Sequence, residues 1–402
     1  MKIAITHFNL TIESGDTRMA LSIAQALKSL GHEVVIYAAE FNPETCFPNL
    51  NHGLDVKTVN SISPLSSTQG AHTLWGKVTE RLRRIKAYNS TAKLMLDNLS
   101  RDLDLIICEN DYSYKAGSDY KKINPSCRVI WIMNNPPFFR SPKIGFLKDI
   151  ASRLISAYER VSAKKFGVSI DWIVVYDEAT ARLARSLNRP VQVIGNPVDF
   201  EKFYQSPKKI NPLEHPLRLL SVGALTPQRR FEDTIETVSI LRKKGYNCLA
   251  TIVCNDHWAS QEYLAQFKSF VHESGVESSL NLKFSGANDE ELIKLYKESD
   301  IFIFPSNIAI WGVSVFEAMA AGLPAIISNV TDVAKALEED KHALFAPPLS
   351  PSSIAKNVLR LVEDIELCKT VSSEGQNLVR EKFNLKNYAI FLTNLSLSKS
   401  KS

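Results

Sequence analysis

The sequence predicts an α/β protein made of two doubly wound, parallel-sheet (Rossmann-like) domains. Three observations carry that expectation. Short apolar runs rich in Val, Ile and Phe alternate with amphipathic stretches of helical period, as in repeated βα units. The length of 402 residues exceeds one ordinary core and suits two domains of roughly 200 residues each. A turn at Gly195 and Asn196, followed by a polar, Pro-containing stretch at 204–216, interrupts the alternation. The expected boundary falls after residue 200, giving domains 1–200 and 201–383, with a last helix within 384–402 returning to the first domain.

Composition narrows the function classes. With 45% apolar and 23% charged residues the chain reads as a soluble globular protein. A formal charge of +5 suits anionic small molecules or an anionic membrane surface and is too small to argue for nucleic acid. The six cysteines are scattered without a CxxC pair, as reduced core thiols of a cytosolic protein would be. The eight histidines lack ligand spacing, so no metal is expected. The first residues are too short in apolar run for a signal peptide, and no stretch approaches the roughly 18 apolar residues of a membrane span. The expected localisation is cytoplasmic, with peripheral contact at the inner membrane face compatible with the charge.

In order, 1–7 reads as a strand, 8–16 as a polar loop, 17–30 as a helix closed by Gly31, and 33–38 as the second strand. The loop contains one glycine, Gly15, and is not the GxGxxG of dinucleotide folds. Further strands are expected at 54–59, 104–108, 129–133 and 172–176. The basic segment 77–86 reads as a solvated helix face. The loops 109–114 and 134–137 leave the carboxyl ends of strands, where polar side chains gather; Asn134 there also suits simple turn chemistry before two prolines. The segment 146–165 reads as an amphipathic helix with Leu147, Ile150, Leu154, Tyr158 and Val161 on a core-facing side.

The second half repeats the alternation, with strands at 217–222, 250–254, 280–284 and 300–305 and helices at 231–243, 263–273 and 290–297. Residues 300–328 organise the chain. A buried strand leads through a loop at 306–312 into a helix at 314–321, stopped by Gly322 and Pro324 before a strand at 325–327. A strand, a turn and a helix N-terminus make an anion site at the carboxyl edge of a sheet. Glu317 lies in that helix. Either it caps the helix in a box with Ser314, or it holds the two hydroxyls of a ribose. The loop GALTPQRR brings Arg229 and Arg230 just before a helix; their fork geometry suits a diphosphate, and the alternative is a solvated basic turn.

WGVSVFEAMAAGLPAI resembles the signature of the retaining GT-B glycosyltransferases, in the large family that includes sucrose synthases and phosphatidylinositol mannosyltransferases. That family carries two Glu eight positions apart, then Ala-Met-Ala, Gly and Pro. The second matches Glu317 and implies a ribose contact; the first, which contacts the donor sugar, falls at Ala309. Family members usually show Gly-Arg-Leu and a Lys five positions after that Arg, both neutralising the diphosphate. Here the Arg falls at Ala224 and the Lys at Arg229, with Arg230 adjacent. The segment VQVIGNPVDFEKF resembles the interdomain stretch, Pro197 replacing its usual Gly. Gly15 is the best match to the family's first loop, and Asn134 stands where many members have a His.

The resemblance implies a GT-B architecture, two Rossmann-like domains facing across a cleft, and a retaining transfer from a nucleoside-diphosphate sugar to a glycan or lipid-linked glycan. The residues it implies as catalytic are Arg229, Arg230 and Glu317. Those for the nucleotide are Gly15, Gly223, Gly312, Val313, Ser314 and Glu317, and those for the sugar or acceptor are Asn134, Asn307 and Trp311. No cofactor beyond the donor substrate, no metal and no nucleic acid are implied. Two other readings stay open: a nucleotide-sugar epimerase on this fold, and a binding protein on a scaffold that has lost activity, to which Ala224 and Ala309 point.

Overall fold

The computed structural model describes residues 1–12, 14–59, 74–109, 112–134, 136–138, 146–207 and 215–398. The chain divides into two compact units. Unit 1 comprises residues 1–195 and 388–402, and unit 2 residues 196–387.

Unit 1 is a seven-stranded sheet. Its strands are β1 (Lys2–Leu10), β2 (Glu33–Phe41), β3 (Asp55–Thr58), β4 (Leu105–Glu109), β5 (Arg128–Ile132), β6 (Trp172–Val175) and β7 (Val191–Val193), in spatial order β3-β2-β1-β4-β5-β6-β7. Every pairing is parallel. The central strands are largely apolar, as expected where helices cover both faces of a parallel sheet, while the edge strand β3 is polar and exposed. All five residues of β4 are buried. The order reverses between β1 and β4, the switch point at which open sheets of this kind bind ligands.

Unit 2 repeats the plan with β8 (Leu217–Ala224), β9 (Cys248–Asn255), β10 (Leu280–Lys283), β11 (Ile301–Phe304), β12 (Ala325–Ser328) and β13 (Leu344–Ala346), in the order β10-β9-β8-β11-β12-β13. All its pairings are parallel. Side chains alternate between two apolar layers. Phe302 and Phe304 join the cluster beneath the helix Val313–Ala320, while Ile301 and Ile303 join the one beneath Phe231–Lys243 and Pro351–Glu363. The order reverses between β8 and β11. Val198 exchanges backbone bonds of 2.8 Å with Phe383 and Leu385, so the two segments where the chain passes between units are tied side by side within unit 2.

Several elements differ from the sequence expectation. β1 runs on to Leu10, because Phe8 and Leu10 are buried and the strand keeps pairing with β2 as far as Phe41; the polar loop is correspondingly short. The basic helix is longer than 77–86, spanning Leu74–Asn98, since Ala92 and Met95 give it a buried face. Glu109 closes β4 instead of opening a loop. The helix Phe146–Gly167 buries the other side from the one expected. Leu154, Tyr158 and Val161 are 67%, 54% and 68% exposed, while Ile155, Glu159 and Ala163 face inward. A charged residue on the buried face masks the true phase; Glu159 is held there by the Tyr112 hydroxyl at 3.0 Å. Leu147 and Ile150 lie in this helix with side chains not described, and the 399–402 tail and residues 208–214 lie outside the described residues.

All six cysteines are buried as free thiols. No helix among the described residues is long and apolar enough to cross a membrane.

Gly322 ends the helix Val313–Ala320 with φ of +71°, and a Cβ there would lie 2.9 Å from the Pro207 Cα. Gly322→Ala is therefore expected to cost roughly 1–3 kcal/mol, from left-handed strain plus overpacking. Urea unfolding checks this, and an unchanged midpoint would contradict the close approach.

Candidate functional site

The carboxyl edge of unit 2 at its switch point is formed by two loops, 225–230 after β8 and 305–312 after β11. They are sewn together through one carbonyl. The Gln228 oxygen accepts from the Asn307 backbone N–H at 3.0 Å and from the Ser306 hydroxyl at 3.1 Å. The Ser314 hydroxyl donates to the Val222 oxygen at 3.2 Å, docking the helix Val313–Ala320 onto β8.

That helix starts at Val313 with Gly312 as its N-cap, and no side chain caps it. Its first N–H groups, together with the helix dipole, favour an anion. Gly312 is required by contact: a Cβ would fall 2.6 Å from the Phe304 ring. The same ring carries Arg229, whose guanidinium carbon lies 5.3 Å from its centroid. Arg229 is half-buried and has no carboxylate partner among the described residues. Burial alone lowers its pKa from the usual guanidinium value. Gly223 lies against it, the Arg229 Nε coming 3.5 Å from where a Cβ would stand.

Arg230 behaves differently. It adopts left-handed backbone with φ of 55°, and its guanidinium is taken by Asp233, with Nη2 to Oδ1 at 2.6 Å and Nε to Oδ1 at 3.2 Å. The Asp233 side chain is only 1% exposed, so this pair anchors the helix Phe231–Lys243. Arg230 therefore does not stand free beside Arg229 to replace the cation missing at Ala224.

Glu317 is 6% exposed. Its Oε2 accepts from the Tyr296 hydroxyl at 2.9 Å, and that hydroxyl also lies 3.4 Å from the Ser314 oxygen. The capping-box alternative fails, because the helix begins before Ser314 and the Ser314 hydroxyl is spent on Val222. Tyr296 was not singled out from the sequence. Its signal is the apolar face of the helix Asp289–Glu298, where Leu292, Leu295 and Tyr296 recur at helical spacing.

In the second loop, Asn307 Oδ1 and Trp311 Nε1 are buried without hydrogen-bond partners. The Trp311 ring packs on Phe316 and Phe383, at centroid distances of 5.3 and 5.9 Å, and so anchors the loop. Ala309 is exposed. The two remaining candidates belong to unit 1. Gly15 is the first residue of the helix Gly15–Ser29, whose N-terminus is closed by a reciprocal Ser14–Thr17 capping box and carries Asp16; these features disfavour an anion there. Asn134 lies just beyond β5, its Oδ1 buried. No group of three or more His, Cys, Asp or Glu side chains able to hold a metal occurs among the described residues.

Comparison with known proteins gives the class. The family described as "Glycosyl transferases group 1" matches residues 203–378, which is nearly all of unit 2. Residues 203–378 carry the group 1 glycosyltransferase domain, and the two parallel-sheet units have the GT-B fold. Over 91% of its length it is 26% identical to an uncharacterized glycosyltransferase of Methanocaldococcus jannaschii, of which it covers 90%. It is 32% identical to an amylovoran biosynthesis glycosyltransferase of Erwinia amylovora over 37% of each chain. In fold it is similar to the Anabaena protein HepE, crystallised with UDP and glucose, with a TM-score of 0.70, 98% of each chain covered and 14% identity.

Tyr296→Phe leaves Glu317 Oε2 without its phenol donor. The expected cost is about 0.5–1.5 kcal/mol of stability, the net contribution of one hydrogen bond. Chemical denaturation reads it; a variant as stable as wild type would mean that another donor holds the carboxylate.

Proposed function

We propose that this protein is a retaining glycosyltransferase that moves a sugar from a nucleoside-diphosphate sugar to a hydroxyl of a glycan or lipid-linked glycan. The observation that carries the reading is Arg229: a half-buried guanidinium, with no carboxylate partner among the described residues, beside an uncapped helix N-terminus. Such a pairing is costly in an empty protein and suits a ligand with two adjacent phosphates. Glu317, buried within the same helix and oriented by Tyr296, fits a pair of ribose hydroxyls. HepE, of similar fold, was crystallised with UDP and glucose, and a Staphylococcus aureus relative is named for capsular polysaccharide biosynthesis; both support the donor and acceptor classes.

In the transfer, the bond from the anomeric carbon to the β-phosphate oxygen breaks, and a bond to the acceptor oxygen forms. The leaving diphosphate takes the electron pair, and the acceptor proton passes to it. Negative charge grows on the diphosphate as the bond breaks. Arg229 and the N–H groups of Gly312, Val313 and Ser314 are set to meet it without reorganisation. No cofactor or metal enters this scheme. Asn307 and Trp311 offer buried polar atoms to the sugar half, where Ala309 provides none.

Arg229→Ala is expected to weaken nucleoside-diphosphate binding about tenfold or more, and monophosphate binding much less, since a hydrogen bond to a charged group is worth about 1.5–3 kcal/mol. Glu317→Gln should weaken both nucleotides alike, because both contain the ribose. Arg230→Ala should lower thermal stability and leave nucleotide affinity unchanged. Isothermal calorimetry with UDP, GDP and ADP and their monophosphates separates these effects. Equal losses for mono- and diphosphate in Arg229→Ala would remove Arg229 from the phosphate site.

A further inference from the structure

The amino edge of the unit 2 sheet, opposite to the edge that carries Arg229 and Gly312, holds a cavity of about 320 Å³. That size is within the range of small-ligand pockets. Its walls are the first residues of β8, β9 and β10, the turn before β10, and the end of the helix Asp289–Glu298. The register builds it. Arg218 pairs with Leu249, and Thr251 with Asn281, so these four residues stand in two rows on one face of the sheet.

That face is covered unevenly. Val253, towards the carboxyl end of β9, is 3% exposed and packs in the layer that Leu292, Leu295 and Tyr296 of the helix complete. Leu249, four residues earlier on the same face, is 38% exposed. β9 lies between β8 and β10, and an inner strand of a doubly wound sheet is normally covered on both faces. Here the helix ends at Glu298 and the chain turns at Ser299 into β11, leaving Leu249 and Asn281 open to solvent. The exposed leucine therefore belongs to a trough with polar walls.

The charges at the trough cancel. Asp300 is 3% exposed and accepts from the Arg218 backbone N–H at 2.8 Å. The Arg218 Nε lies 3.5 Å from the same carboxylate, so the guanidinium offsets a buried charge. On the other wall Glu298 has Lys294 3.9 Å away. What is left for a ligand is neutral polarity. Arg218 and the Asn281 amide donate, the Asn281 and Glu298 oxygens accept, and the Thr251 and Ser278 hydroxyls do both.

We propose that this trough binds an uncharged saccharide and holds glycan away from the point of transfer. Sugar hydroxyls donate and accept alike, and the C–H face of a sugar ring suits Leu249. A phosphate would find Arg218 committed to Asp300 and would face the Glu298 carboxylate. Arg218 is about 17 Å along β8 from Gly223, at roughly 3.3 Å per residue, so the sugar held here is not the one transferred. Identifying the saccharide with the acceptor or product glycan rests on the glycosyltransfer reading above; the binding itself does not.

The test is methyl NMR of the full chain, labelled with 13C at the leucine methyls and titrated with maltopentaose, mannopentaose and chitotetraose and, separately, with inorganic phosphate. The Leu249 signal is assigned by its loss in Leu249→Met. The expected result is that at least one oligosaccharide shifts the Leu249 methyls, with and without a saturating nucleoside diphosphate, and that phosphate does not. Asn281→Ala and Thr251→Val should each weaken this binding about two- to tenfold, the effect of one hydrogen bond lost. Neither side chain is buried, so both variants should fold, and nucleoside-diphosphate affinity should be unchanged in both. No shift with any of the three oligosaccharides, an equal shift with phosphate, or full affinity in both variants would overturn the proposal. A Leu249 shift that follows protein concentration without sugar would make the trough an interface between copies and overturn it too. Failure of the donor reading would appear instead as absent nucleotide binding in wild type, which leaves the Leu249 titration intact.

Discussion

A guanidinium stays charged at any biological pH, so the protein must accommodate the charge of Arg229 permanently. It does so at the edge of an apolar layer, without a carboxylate, and the local architecture follows from that constraint. The Phe304 ring supplies a cation–π face that offsets part of the lost hydration. Because the ring fills that space, residue 312 must be glycine. Because the turn carrying Arg229 would otherwise be loose, Ser306 and Asn307 both hold the carbonyl of the preceding residue, Gln228. A carboxylate partner would stabilise the free protein and would compete with any incoming phosphate. The arrangement keeps the charge available at some cost in stability, as binding sites often do.

The contrast with the neighbouring Arg230 shows where sequence reasoning stops. In the sequence the two arginines are equivalent members of one basic turn. The backbone separates them: left-handed φ at Arg230 swings its side chain onto Asp233, three residues ahead, while Arg229 has no carboxylate among the described residues. Glu317 presents the same limit. Its pattern with Ser314 fits a capping box, and the helix starting only one residue before Ser314 is enough to abolish it. Boundaries are the least legible part of a sequence, and here a boundary decides a functional assignment.

The strands were legible for a plain reason. Both sheets are parallel, so their central strands are apolar runs that read plainly; the short edge strand β13 (Leu344–Ala346) was not expected from the sequence. The alternation of βα units then specifies the doubly wound sheets, and the strand–loop–helix around Gly312 could be placed at a carboxyl edge. The helix Phe146–Gly167 resisted because apolar periodicity assumes that buried means apolar. Its buried face carries Glu159, held by Tyr112, and its exposed face carries Leu154, Tyr158 and Val161. Two violations in opposite senses shift the apparent phase. The polar residues at the unit 1 switch point were hidden similarly: His7 and Glu109 sit in apolar strands and read as interruptions until the register aligns them.

The two switch points solve opposite electrostatic problems with one topology. In both units the strand order reverses beside the first strand, and the side chains there leave the sheet at its carboxyl edge with no neighbouring crossover to cover them. Unit 2 places an unpaired cation and helix N–H groups at that point, so its chemistry favours an anion. Unit 1 places the Glu109 carboxyl, the His7 imidazole, the Asn134 amide and the Tyr176 and Tyr388 phenols there. Its adjacent helix has its N-terminus closed by a capping box and carries Asp16, so the same backbone geometry is turned away from anions. The topology therefore fixes where a ligand can sit, while the residues ending β1, β4, β8 and β11 fix what that ligand can be. A sequence that kept every strand and exchanged only those residues would keep the fold and lose the distinction between the two sites.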